Sequence, residues 1–113
     1  MDYIEANQAD RNRSKDMYEL IGDTGTNFLS LHKSALADGA ISKKQKDLTA
    51  LAIAVATKCE GCINSHVKDA VANGATIEEI AETVEVAILM SGGPGIVYGG
   101  KAIEAAKQYL NQK

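Results

Sequence analysis

The chain has 113 residues, 45% of them apolar, with one proline and ten glycines. That length supports one modest core, so a single domain over residues 1–113 is expected. A formal net charge of -3 without any Lys/Arg-rich block argues against nucleic acid or an anionic membrane surface as a partner.

From the N-terminus, Met1 to Ala6 lacks the basic start and apolar stretch of a signal peptide. The longest apolar run, Leu48 to Ala56 broken by Thr49, is too short to span a bilayer. A cytoplasmic location is expected. Apolar residues then recur at spacings of three and four, with no strand hairpin in view, so the fold class is all-α with about six helices. The first helix covers about Asp2 to Leu20, polar with sparse apolar positions, and suits a surface of the domain or of a neighbouring subunit. Gly22 to Gly25 should break it. A second helix runs from about Thr26 through Phe28, Leu29, His32 and Leu36 to a stop near Gly39.

Ser42 to Gln45 has capping-box spacing and opens a third helix whose buried stripe is Leu48, Leu51, Ala52 and Val55. A fourth helix starts around Glu60, carries Ile63, His66, Val67 and Val71, and ends at Asn73-Gly74. Thr76 to Glu79 is a second capping box and starts a fifth helix, closed by Ser91-Gly92-Gly93. Pro94 fits the first turn of a sixth helix, which continues to about Leu110. The run Gly95 to Ala102 fits a phosphate loop only up to Lys101. Ala102 stands where a magnesium-holding hydroxyl belongs and no strand precedes it, so its glycines read as close helix contacts.

The chemistry concentrates at Lys58-Cys59-Glu60-Gly61-Cys62-Ile63-Asn64-Ser65-His66, which holds both cysteines and one of the two histidines. Residues four apart on a helix share a face, so Cys62 and His66 should lie one turn apart. At the N-terminal end of the fourth helix, free N–H groups and the helix dipole favour thiolates. Lys58 would add to this and Glu60 oppose it. Folding helices three and four into an antiparallel hairpin puts Asp47 ~15 Å and His66 ~9 Å below the turn, at ~1.5 Å per residue. The expected relay runs from Asp47 to His66 to Cys62, with the acid orienting the imidazole and the imidazole deprotonating the thiol. Cys62 would attack, and Cys59, expected to be the more exposed sulfur, would resolve.

The run Asp47 to Ala56 followed by Cys59, Cys62 and His66 resembles alkylhydroperoxidase D-like proteins of the carboxymuconolactone decarboxylase family. Further ordered matches are Asp38 to Ser42, Ala72 to Ile80 and Leu89 to Pro94. The resemblance implies an all-helical fold with a central antiparallel helix pair carrying the Cys-x-x-Cys motif. It also implies a homo-oligomer, trimer or hexamer, and a dithiol centre that reduces hydroperoxides in the manner of peroxiredoxins or cycles disulfides. Cys59, Cys62 and His66 match the family's motif. Asp47 stands where glutamate is usual and reaches one methylene less, and Gly61 stands where some members have a further histidine. No bound cofactor is implied. The partners would be a hydroperoxide or disulfide substrate and an external dithiol donor of lipoyl or thioredoxin type.

Other readings compete. Cys59, Cys62 and His66 could form a zinc half-site, with His32 or Asp47 as further candidates, but no second paired-ligand motif is present. A decarboxylase-like carbon-acid enzyme on the same fold, or a non-catalytic oligomer with a structural disulfide, are the rivals in function. His32 reads first as a packing residue that could line the pocket. Tyr3, Tyr18, Tyr98 and Tyr109 have no site-like neighbours.

Overall fold

The computed structural model describes residues 1–112, and among these it contains six helices and no strand. They are α1 (Tyr3–Ile21), α2 (Asp23–Ala35), α3 (Lys43–Ala56), α4 (Glu60–Ala72), α5 (Ile77–Ser91) and α6 (Gly93–Asn111). None of these helices is long and apolar enough to cross a membrane.

Helices α3 to α6 form a bundle around a core of small and branched side chains. Leu51, Val55, Val67, Ile80, Ala102, Ala105 and Ala106 are all fully enclosed. The small residues bring α5 and α6 close: a Cβ at Gly99 would lie 2.6 Å from Val84 Cγ1, which confirms the glycine as a helix contact. Gly100, by contrast, faces open space.

The caps account for the boundaries. Ser42 Oγ accepts the Gln45 N–H at 3.2 Å, and the neighbouring Lys43 N–H goes to the Asp38 carboxylate at 2.7 Å. The complete reciprocal box is at Thr76 and Glu79. Gly22, at φ 58, ends α1 and immediately starts α2. The break is therefore shorter than the sequence pattern implied. Gly25 lies inside α2, where a Cβ would run into the Tyr18 ring. The C-terminal limit also differs: α2 ends at Ala35, before Gly39.

Two tyrosines unassigned from sequence pin the chain's start. The Tyr109 hydroxyl donates to Asn64 Oδ1 at 2.7 Å, and Asn64 Nδ2 donates to the Tyr3 carbonyl at 2.7 Å. Burial of this network pushes the Tyr109 hydroxyl up to about 12. The Tyr3 N–H donates to Gln108 Oε1 at 2.8 Å. The first turns of α1 are thus fixed to α4 and α6. Further along, α2 packs on α1 and leaves Phe28, Leu29 and Leu31 exposed.

The turn between α3 and α4 and the turn after α4 share one geometry. After α3, the Lys58 N–H bonds to Val55 O and the Cys59 N–H reaches back to Ala54 O; after α4, Gly74 and Ala75 do the same to Val71 and Ala70. Both patterns need a left-handed residue, supplied by Gly74 at φ 92 and by Lys58 at φ 61. Lysine bears a Cβ penalty there that glycine escapes. Lys58→Gly should therefore stabilise the fold by about 1 kcal/mol and raise Tm by a few degrees. A Tm in calorimetry that stays level or falls would show that the lysine side chain outweighs its backbone strain.

Candidate functional site

Cys59 holds two positions at once. Its N–H closes α3 on Ala54 O at 3.1 Å, and as N-cap of α4 its Sγ accepts the Cys62 N–H at 3.3 Å. The two cysteines form a disulfide with Cα atoms 5.2 Å apart. Both sulfurs therefore lie at the N-terminus of α4, where unpaired N–H groups and the dipole stabilise negative charge.

The exposures reverse one expectation. Cys59 is half-buried in the turn, whereas Cys62, in the first turn of α4, is exposed. The reason is the double cap, which draws Cys59 between the two helices. Glu60, expected to oppose a thiolate, is matched by Lys101 of α6 at 2.8 Å. That contact raises the Lys101 ammonium's pKa, through its hydrogen bond to Glu60 and the carboxylate's charge. Gly61 lies beneath α1: a Cβ there would meet Asp10 Oδ2 at 3.3 Å. A side chain at this position would need the Asp10 carboxylate to give way slightly.

One turn below Cys62, His66 is half-buried, and its Nδ1 is enclosed without a hydrogen-bond partner. Such an orphan costs about 1–3 kcal/mol unless a partner is within easy reach. Burial lowers the His66 pKa below its ordinary value, so the ring is neutral at neutral pH and free to accept a proton. The ring of His32, from α2, stacks on it with centroids 6.1 Å apart and planes 12° from parallel. His32 is exposed, so it lines the site instead of packing in the core as expected.

Asp47 is wholly buried. Its oxygens accept from Lys43 Nζ at 3.1 and 3.2 Å and from Asn73 Nδ2 at 3.1 Å, which meets the requirement that an enclosed carboxylate be paired. Asp47, His66 and Asp69 bring one donor atom each within 4.8 Å of one another. The hairpin thus brings Asp47 to His66 as anticipated. It also adds Asp69, three residues beyond His66 on the same helix, a spacing visible in the sequence but unused there. Lys43, four residues before Asp47, is the other missed neighbour. Its ammonium holds the cationic place beside Asp47.

The sulfurs and His66 open on a groove of about 1360 Å³ between α1, α2 and the start of α4. Met17, Tyr18, Phe28 and Leu29 supply an apolar wall, and His32 stands beside His66. A substrate of moderate size could reach Cys62 from this side.

Comparison with known proteins agrees with this architecture. The carboxymuconolactone decarboxylase family model matches residues 22–108. A carboxymuconolactone decarboxylase family protein from Legionella pneumophila is 36% identical, superposes with a TM-score of 0.91, and is matched over 95% of this chain and 96% of its own. A Thermotoga maritima member, described as a candidate participant in an antioxidative response, shares the fold at 22% identity with a TM-score of 0.84, over 99% of this chain and 92% of its own. A Paracoccus denitrificans relative, known as uncharacterized protein 4 in the cox locus, is 45% identical over 67% of this chain and 68% of its own length. With its helical bundle and its Cys-x-x-Cys turn, the chain belongs to the carboxymuconolactone decarboxylase family.

Proposed function

We propose that the protein is a thiol oxidoreductase that cycles between a Cys59, Cys62 dithiol and the disulfide, reducing a hydroperoxide or a disulfide substrate. The observation that carries this reading is the Cys59–Cys62 bond at the N-terminus of α4, open to a groove that also holds the neutral base His66. A purely structural disulfide would not need a base one turn away. A lactone decarboxylase would not need the sulfurs.

The cycle runs as follows for a hydroperoxide. His66 takes the Cys62 proton, and the thiolate attacks the terminal peroxide oxygen; the O–O bond breaks and the alkoxide leaves as an alcohol with that proton. Cys62 is then a sulfenic acid. The Cys59 thiolate, favoured by the Cys62 N–H, attacks that sulfur and expels water after proton uptake, forming the disulfide. An external dithiol of lipoyl or thioredoxin type donates two electrons, becomes a disulfide itself and restores both thiols. Exposure favours Cys62 as the attacking sulfur, and its one-turn spacing from His66 supports the same choice. Asp47, anchored by Lys43 and Asn73, backs the imidazole from the core. A reducing cytoplasm would keep such a pair working.

The same reading expects a homo-oligomer. Phe28, Leu29 and Leu31 on α2, with Leu89, Met90, Ile96 and Val97 around the α5–α6 junction, are exposed apolar side chains available to meet further copies. Sedimentation should give a defined trimer or hexamer, and a monomer at every concentration would refute this.

Peroxide turnover with dihydrolipoamide or thioredoxin as donor tests the activity. Cys59→Ser should still form a sulfenic acid at Cys62, detectable with a dimedone probe, while Cys62→Ser should not; the opposite pattern reverses the roles. A reduced protein inert to every peroxide and disulfide tried would overturn the function. For His66→Asn, alkylation of Cys62 should lose the acid limb that lies below pH ~6.5 and follow an ordinary thiol near ~8.5. The sign follows from the mechanism: as pH falls, His66 becomes protonated and can no longer accept the thiol proton. An unchanged profile would exclude His66 as the base.

A further inference from the structure

We propose that Asp69 is the positioning residue that sets the basicity and orientation of His66. This rests on the redox reading of the site, in which His66 is the base.

Five groups bear on the imidazole: Asp69 from its own helix, Asp47 and Lys43 from α3, His32 from α2, and Cys62 one turn above. Asp47 and Lys43 form an ion pair at 3.1 Å, so the pull of one charge on His66 is countered by the push of the other. Asp47 accepts a further hydrogen bond from Asn73. Asp69 differs on each count. Among the described residues its carboxylate has no ion pair and no hydrogen bond, and it is half-buried beside the imidazole. Of the charges acting on His66, it exerts the largest effect, favouring the protonated ring.

The orphaned Nδ1 supplies the second half of the argument. A buried ring nitrogen without a partner calls for an acceptor nearby, and the Asp69 carboxylate lies within 4.8 Å of a ring nitrogen of His66. A small side-chain rotation would let Nδ1–H donate to Asp69. That fixes the tautomer, leaves the Nε2 lone pair free to accept the thiol proton, and stabilises the imidazolium that results. Asp47 then serves chiefly as a structural anchor, and Asp69 as the electrostatic partner.

The test follows His66 by NMR titration of the full chain in its oxidised form, where no turnover is required. Asp69→Asn should lower the His66 midpoint by about half a unit or more, while Asp69→Glu should keep it near the wild-type value. In the unmodified protein, the Asp69 carboxyl carbon should show an inflection at the His66 midpoint. A midpoint unmoved in Asp69→Asn, equal displacement by Asn and Glu, or a carboxyl carbon blind to His66 would each overturn the assignment. If the midpoint moves as stated but the reduced protein turns over no peroxide or disulfide, the redox reading fails while the pairing stands. In the reduced protein, Asp69→Asn should also move the acid limb of Cys62 alkylation to lower pH along with the His66 midpoint, and an unmoved limb would deny the pairing a part in thiol activation.

Discussion

Cys59 is the point on which the site depends, because one residue closes one helix and opens the next. Its N–H satisfies the carbonyl of Ala54 while its sulfur receives the N–H of Cys62. Helix ends leave backbone groups without partners, and a turn this short has little room for separate caps. Using a cysteine as N-cap solves a structural problem with a reactive atom. The donor that a serine or aspartate would satisfy is directed at sulfur, and it is most strongly bound when that sulfur is ionised. Under the proposed redox function, folding and thiolate stabilisation draw on the same hydrogen bond.

The left-handed Lys58 is the cost of that arrangement. The chain adopts the same closing turn twice, with glycine after α4 and lysine after α3. Strain at a non-glycine residue beside a reactive group is a recurring property of functional sites. Here it places a cation next to Cys59, where glycine would have left the backbone relaxed and the charge missing. Lys101 complements it from α6 by pairing with Glu60, so the acid at the first position of α4 does not act alone against a thiolate.

Much of this was legible from local pattern. The helical fold, the caps at Ser42 and Thr76, the α3–α4 turn and the approach of Asp47 to His66 all follow from short-range rules of period, capping and rise per residue. What the pattern missed depends on contacts between elements. Gly25 looked like part of a break because a glycine near another glycine reads as loop; it is helical because the Tyr18 ring occupies the space a side chain would need. The exposures of Cys59 and Cys62 were reversed because exposure at a helix start depends on how the preceding turn is packed. Asp69 and Lys43 stood at helical spacing from His66 and Asp47, yet spacing alone does not tell which of two carboxylates already has a cation beside it.

The remaining asymmetry lies in how firmly the walls of the site are held. Its floor, α3 and α4, belongs to the packed bundle, and the start of α1 is tied down through Tyr3, Asn64 and Tyr109. Its outer wall is α2, which packs on α1 and sets His32 over His66 with little else beneath it. Local stability follows buried apolar contact, so α2 belongs to the least stable part of the fold as it stands. A covering partner for its exposed leucines and phenylalanine would stiffen that wall. Assembly and reactivity would then be coupled through one helix, since whatever fixes α2 also fixes the dielectric around the imidazole.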